Sequence, residues 1–170
     1  IPPFIATLGM MLILKGLSLV ISGTRPIYFN DTPGFDLISR GSLIGDIFPA
    51  LPIPNGVLIL FLVAGAASYI LGRTVLGRYT FALGSNEEAV RLSGVNTDFW
   101  KMSVYALAGA ICGIAGILIA SRLNSAQPAL GLGYELEAIA AVVIGGTSLS
   151  GGRGTVLGTL IGALIMAVLT

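Results

Sequence analysis

The sequence predicts an all-α fold, a polytopic membrane helical bundle with one short capped surface helix and one helix interrupted by glycines. Three observations carry that prediction. Hydrophobic residues make up 55% of the 170 and charged residues only 10%, with a mean hydropathy of +0.94. A water-soluble domain carries about 25% charged residues, so this chain lacks the polar surface to cover a globule in water and lipid is its expected solvent. Several apolar stretches have the length of a membrane span, and lipid offers backbone polar groups no partner outside a helix. A glycine-rich run, TSLSGGRG, cuts the last apolar region in two.

Taken in order, residues 3 to 22 form the first span; Lys15 within it is best read as a snorkelling anchor whose four-carbon stem reaches outward. Residues 23 to 54 are a polar loop without clear periodicity, with room for a short helix. Its end, FPALPIPNG at 48 to 56, concentrates Pro49, Pro52 and Pro54, which remove donors and fix φ, giving an extended lead-in. Residues 56 to 72 are the second span and 102 to 121 the third. Residues 135 to 146 make only about 18 Å of helix at 1.5 Å per residue, too short to cross a core of about 30 Å comfortably. With TSLSGGRG behind them they read as a broken or re-entrant helix, which membranes tolerate where protein or a water path surrounds it. Residues 155 to 170 are a final span, cut off by the end of a chain that reads as one permeating membrane domain and a piece of a longer protein.

Between the second and third spans lies a charged island, RTVLGRYTFALGSNEEAVRLSGVNTDFWK at 73 to 101, with Arg73, Arg78, Arg91 and Lys101. The loop at 23 to 54 balances Arg25 and Arg40 against Asp31, Asp36 and Asp46. The excess of Lys and Arg places the island on the cytoplasmic side. Inside it, Ser85 and Glu88 have the S-x-x-E spacing of a capping box, and Gly94 supplies a left-handed stop. Glu87 and Glu88 at the positive end and Arg91 near the negative end suit the helix dipole. A surface helix at about 86 to 93 follows.

Several functions are excluded by what the chain lacks. Net charge is +1, which argues against nucleic acid as a partner. There is no His, and no paired carboxylate lies within a span, so a membrane-embedded hydrolase or transferase would lack its acid and base. The one cysteine, Cys112, gives no disulfide framework. GGTSLSGGRGT is not a phosphate-binding loop, because Gly152 stands where that motif needs Lys. No cofactor, metal or ATP is expected here.

Gly77 to Val95 spell the pattern G-R-Y-x-x-A-L-G-x-N-E-x-A-x-R-L-S-G-V. That pattern resembles the coupling segment of the monosaccharide importers of the ATP-binding-cassette type, the group that handles ribose, xylose, arabinose and galactose. A second stretch, SRLNSAQPALGLGYELEAIAAVVIGGTSLSGGRG at 121 to 154, resembles the other signature of the same group, with Ser121 where the family often has Ala. Together with FIATLGMM at 4 to 11 the likeness covers essentially the whole chain.

The resemblance implies a permease subunit in the bacterial cytoplasmic (inner) membrane. It implies Glu88, Ala89, Arg91, Leu92 and Gly94 as the contact with a separate ATPase subunit. It also implies a second permease copy, the same or different, and an extracytoplasmic sugar-binding protein as partners, with lipid around them. Ser125, Gln127, Tyr134, Thr147 and Ser148 offer neutral donors and acceptors, which suits a hydrated polyol along a substrate path. Gly109 and Gly113, like Gly158 and Gly162, have the small-xxx-small spacing of helix contacts, and packing is their favoured reading. For Gly145, Gly146, Gly151, Gly152 and Gly154 a bend beside the path weighs as much as packing. Two rivals stand beside this reading. Branched-chain amino-acid permeases of the same superfamily share the short helix and a glycine-rich stretch. An ion-coupled secondary transporter would suit the broken helix, but only Lys15 is available as an ionisable group inside a span.

Overall fold

A computed structural model describes residues 3–29, 31–42 and 53–169. Among them the chain is helical apart from one two-stranded ribbon: α1 (Pro3–Ile21), β1 (Ile27–Tyr28), α2 (Leu37–Arg40), α3 (Asn55–Arg73), α4 (Val75–Ser85), α5 (Glu87–Leu92), α6 (Thr97–Leu123), β2 (Ser125–Ala126), α7 (Tyr134–Ile144) and α8 (Val156–Leu169). Most of the proline-rich lead-in falls at 43 to 52, outside the described residues; α3 begins directly after Pro54. Contacts divide the chain into two compact units, Ile1–Gly56 with Gly116–Leu132, and Val57–Ala115 with Gly133–Thr170.

Among the described residues two helices, α3 and α6, are long and apolar enough to cross a membrane, and no part of either best apolar window is buried within the chain. A core helix of a water-soluble domain would bury that surface, so lipid or further protein must cover it. α6 has 27 residues, about 40 Å of helix, and is longer than the span expected at 102 to 121 because it starts inside the island at Thr97. Asn96 caps it, its side-chain oxygen accepting from the Phe99 N–H at 3.1 Å.

In the first unit α1 ends at Gly23 and Thr24, both at positive φ, with the Thr24 N–H donating back to the Leu19 carbonyl at 2.9 Å and closing the helix. β1 pairs antiparallel with β2, Ile27 opposite Ala126 and Tyr28 opposite Ser125. The loop between 23 and 54 does contain a short helix, α2, and it is pinned to α6 through Ser121. That hydroxyl is fully buried, accepts from the Ser39 N–H at 3.0 Å and donates to the Phe35 carbonyl at 2.7 Å. The Ser121 oxygen thus has a structural task that a methyl group could not perform.

In the second unit the broken helix is an α7–loop–α8 pair packed face to face. α7 has 11 residues and α8 has 14, about 16 Å and 21 Å of helix. The seam is made of glycine: a Cβ on Gly158 would lie 2.0 Å from the Gly145 carbonyl oxygen, and one on Gly162 would lie 2.0 Å from that of Ala141. The Gly158–Gly162 spacing is therefore a packing device, as expected. Gly109 and Gly113 on α6 differ, since an added Cβ would meet nothing within 4 Å at either.

Candidate functional site

The island holds two short helices, α4 and α5, joined at the extended Asn86, where the sequence pattern implied one. Thr74 caps α4, its hydroxyl accepting from the Gly77 N–H at 3.4 Å and donating to the Ile70 carbonyl at 2.7 Å. Gly77 is buried, and a Cβ there would sit 2.1 Å from the Leu71 carbonyl oxygen, so only glycine lets α4 fold back on the end of α3. That explains why the first letter of the island pattern is glycine.

Asn86 ends α4 and starts α5. Its backbone is extended, its N–H donates to the Ala82 carbonyl at 3.0 Å, and its side-chain oxygen accepts from the Ala89 N–H at 3.0 Å. The expected cap at Ser85 is thus corrected by one residue. Ser85 is still the last residue of α4, so its backbone is helical and its hydroxyl cannot act as the cap. The stop is as expected: Gly94 has φ of +81° directly after the final turn. α5 spans Glu87–Leu92, a little shorter than 86 to 93.

Glu88, Ala89, Arg91, Leu92 and Gly94 are all exposed, and Leu92 is 83% exposed. Leu92 thus leaves an apolar tip in the open, on the same short helix as Glu88 and Arg91. α5 is braced from behind by an ion pair between Glu87 and Lys101 on α6. α4 is braced by Tyr79 tilted against Trp100, ring centroids 4.7 Å apart and planes 41° apart. Sequence reasoning missed α4, Gly77 and Gly84; Thr74 before an apolar run and the glycines at 77 and 84 were the signals.

The residues expected along a substrate path fall into different surroundings. In the first unit Ser125 is buried in β2, donating to the Leu123 carbonyl at 3.3 Å and accepting from Gln127 Nε2 at 3.4 Å, while Gln127 itself is exposed. In the second unit Tyr134 is exposed at the start of α7. Thr147 and Ser148 are half-buried and line a cavity of about 380 Å³ with Thr80, Phe81, Gly84 and Thr159. Their loop is ordered by its own backbone: the Ser148 N–H donates to the Arg153 carbonyl at 3.0 Å and the Gly151 N–H to that of Ser148 at 3.1 Å. Gly146, Gly151 and Gly152 adopt positive φ and so bend the chain, while Gly145, Gly151, Gly152 and Gly154 also sit in close packing, so both readings of the glycine run hold. Among the described residues no cluster of His, Cys, Asp or Glu could hold a metal.

The family described as "Branched-chain amino acid transport system / permease component" matches residues 1–170. The ribose import permease protein of Escherichia coli is 50% identical over 166 residues, 98% of this chain and 50% of the relative. That of Bacillus subtilis is 46% identical over 168 residues, again 98% and 50%. The xylose transport system permease protein of Escherichia coli is 47% identical over 117 residues, 69% of this chain and 30% of the relative. The chain spans about half the length of the ribose permeases it matches. No solved structure matches. A match along every residue, joined to half-identity with named permeases, shows that this chain belongs to the permease-component family of these import systems.

Proposed function

We propose that the chain is part of the membrane-spanning subunit of an ATP-driven importer of a monosaccharide, working as one multi-pass permease domain in the bacterial cytoplasmic membrane. The observation that carries this is the 50% identity to a ribose import permease along 98% of the chain. The family's description names amino acids, but the ribose, fructose and xylose permeases among the relatives favour the sugar reading over the branched-chain amino-acid one. A secondary transporter receives no support from any of these names.

ATP is hydrolysed on a separate subunit, which docks on α5 through Glu88, Ala89, Arg91, Leu92 and Gly94. The island faces the cytoplasm, an extracytoplasmic binding protein delivers the sugar, and a second permease copy completes the path. Thr147 and Ser148 contribute neutral hydroxyls to that path, which pass a polyol without gripping it; Ser125, Gln127 and Tyr134 are proposed with them.

The test is uptake by the full-length permease in membrane vesicles, with and without its ATPase subunit and binding protein, using labelled ribose, xylose, fructose and leucine. Sugar accumulation that requires ATP and both partners is expected. Accumulation driven by an ion gradient with the permease alone, or of leucine and no sugar, would overturn the proposal.

A further inference from the structure

We infer that the joint between the island and the glycine loop, Gly84 and Ser85 against Gly151 and Gly152, is the relay by which displacement of α5 reaches the α7–α8 pair; this rests on the coupling role proposed for α5. The contact is backbone against backbone and reciprocal. A Cβ on Gly84 would lie 2.6 Å from the Gly152 nitrogen, one on Gly151 would lie 2.5 Å from the Gly84 carbonyl oxygen, and one on Gly152 would lie 3.2 Å from the Ser85 Cβ. With no side chain between them, the two backbones have no soft layer to absorb movement, since close-packed atoms transmit strain.

On the island side the connection is short and stiff. Ser85 is followed by Asn86, which caps α5 and closes α4 at once, so α5 cannot shift without carrying the end of α4. On the other side, Gly152 belongs to a loop closed by the Ser148–Arg153 backbone bond, and both ends of that loop are the facing ends of α7 and α8. The Gly145–Gly158 seam then ties those helices together. Besides the chain that runs on through Gly94 into α6, α5 has two outlets: the Glu87–Lys101 ion pair to α6, which is exposed and yields easily, and the glycine joint, which does not. The joint also puts the loop from Thr147 to Gly154 on the island's side of the membrane. Arg153 then joins Arg73, Arg78, Arg91 and Lys101 there, in the direction the distribution of basic residues favours.

The test uses the full-length permease with its ATPase and binding protein in vesicles. Gly84→Ala keeps a residue that suits the interior of a helix and disturbs only the joint; Gly65→Ala on α3, where a Cβ meets nothing within 4 Å, is the comparison. A Ser85→Cys, Gly152→Cys pair in a Cys112→Ser background reads the contact itself, since its Cβ separation falls a few tenths of an ångström short of the usual disulfide range of about 3.5–4.5 Å. Expected are loss of uptake with ATP hydrolysis retained in Gly84→Ala, no loss in Gly65→Ala, and a disulfide on oxidation. Unchanged uptake in Gly84→Ala, equal loss in Gly65→Ala, or absence of the disulfide would each overturn the inference. Absence of ATP-dependent uptake in the wild type would instead sink the transport reading, and the disulfide would still report the joint.

Discussion

The two units of this chain differ in how their distant segments are tied together. In the unit that carries the island, backbones approach closely at glycine: Gly77 on Leu71, Gly84 on Gly152, Gly158 on Gly145, Gly162 on Ala141. In the other unit, the long-range ties are hydrogen bonds, from Ser121 to the turn at Phe35 and Ser39, between β1 and β2, and from Asn55 Nδ2 to the Leu37 carbonyl at 3.0 Å. The difference teaches what each region is suited to do. A joint without side chains has a fixed spacing and passes movement on; a joint made of one or two hydrogen bonds holds a loop and gives way at modest cost.

The largest effect should come from filling the glycine seam. Gly158→Leu would drive a side chain into the Gly145 carbonyl, and no rotamer removes a Cβ placed 2.0 Å from an oxygen. The full-length protein is expected to lose the α7–α8 pair and to be degraded, measured as the absence of the protein from purified membranes; normal levels would break the contrast between the units.

A smaller effect is expected from Ser121→Ala, which strips the buried Ser39 N–H and the Phe35 carbonyl of their partner. The cost is about 1–3 kcal/mol, readable as a lowered thermal midpoint in detergent with uptake retained. A loss as severe as that of Gly158→Leu would show that the hydrogen-bonded unit is no more tolerant than the glycine-bound one.

The smallest belongs to Gly113→Ala. Nothing lies within 4 Å of the added methyl, so the change should stay within about 1 kcal/mol and lean towards stability, as removing a helix glycine does. Marked destabilisation would mean that this face of α6 is covered in the full-length protein.

Much of this was legible in the sequence, for reasons that mark where legibility stops. Long apolar helices were readable from hydropathy and length, and the ends of α3 and α8 fall within a residue of those expected. The broken helix was readable because the 12 residues from 135 to 146 are too few to cross and a glycine-rich run follows them. The cap of α5 was misplaced by one residue because Ser85 and Asn86 are both good capping residues; what decides between them is the helix α4 arriving from behind, a tertiary fact. α4 itself was hidden by its two glycines, which cost helix propensity yet serve close approach at each end of the helix. The task of Ser121 depends on a partner 82 residues away, and no local pattern announces that.

For the site, all five residues expected to meet a partner are exposed on or beside α5, as a contact surface requires. The path residues were chosen by chemistry alone. Thr147 and Ser148 line a common cavity, whereas the Ser125 hydroxyl is engaged by its near neighbours Leu123 and Gln127. Hydroxyl groups look alike in a sequence, and burial and local bonds separate them only in the fold.

The most direct measurement pairs sugar uptake with ATP hydrolysis in vesicles containing the full-length permease, its ATPase and its binding protein, comparing wild type with Glu88→Lys and Arg91→Glu. Both changes reverse charge on the exposed helix α5 and touch no span. Membrane levels unchanged, ATP still hydrolysed and sugar no longer accumulated is the predicted result; wild-type uptake in both variants would contradict the account.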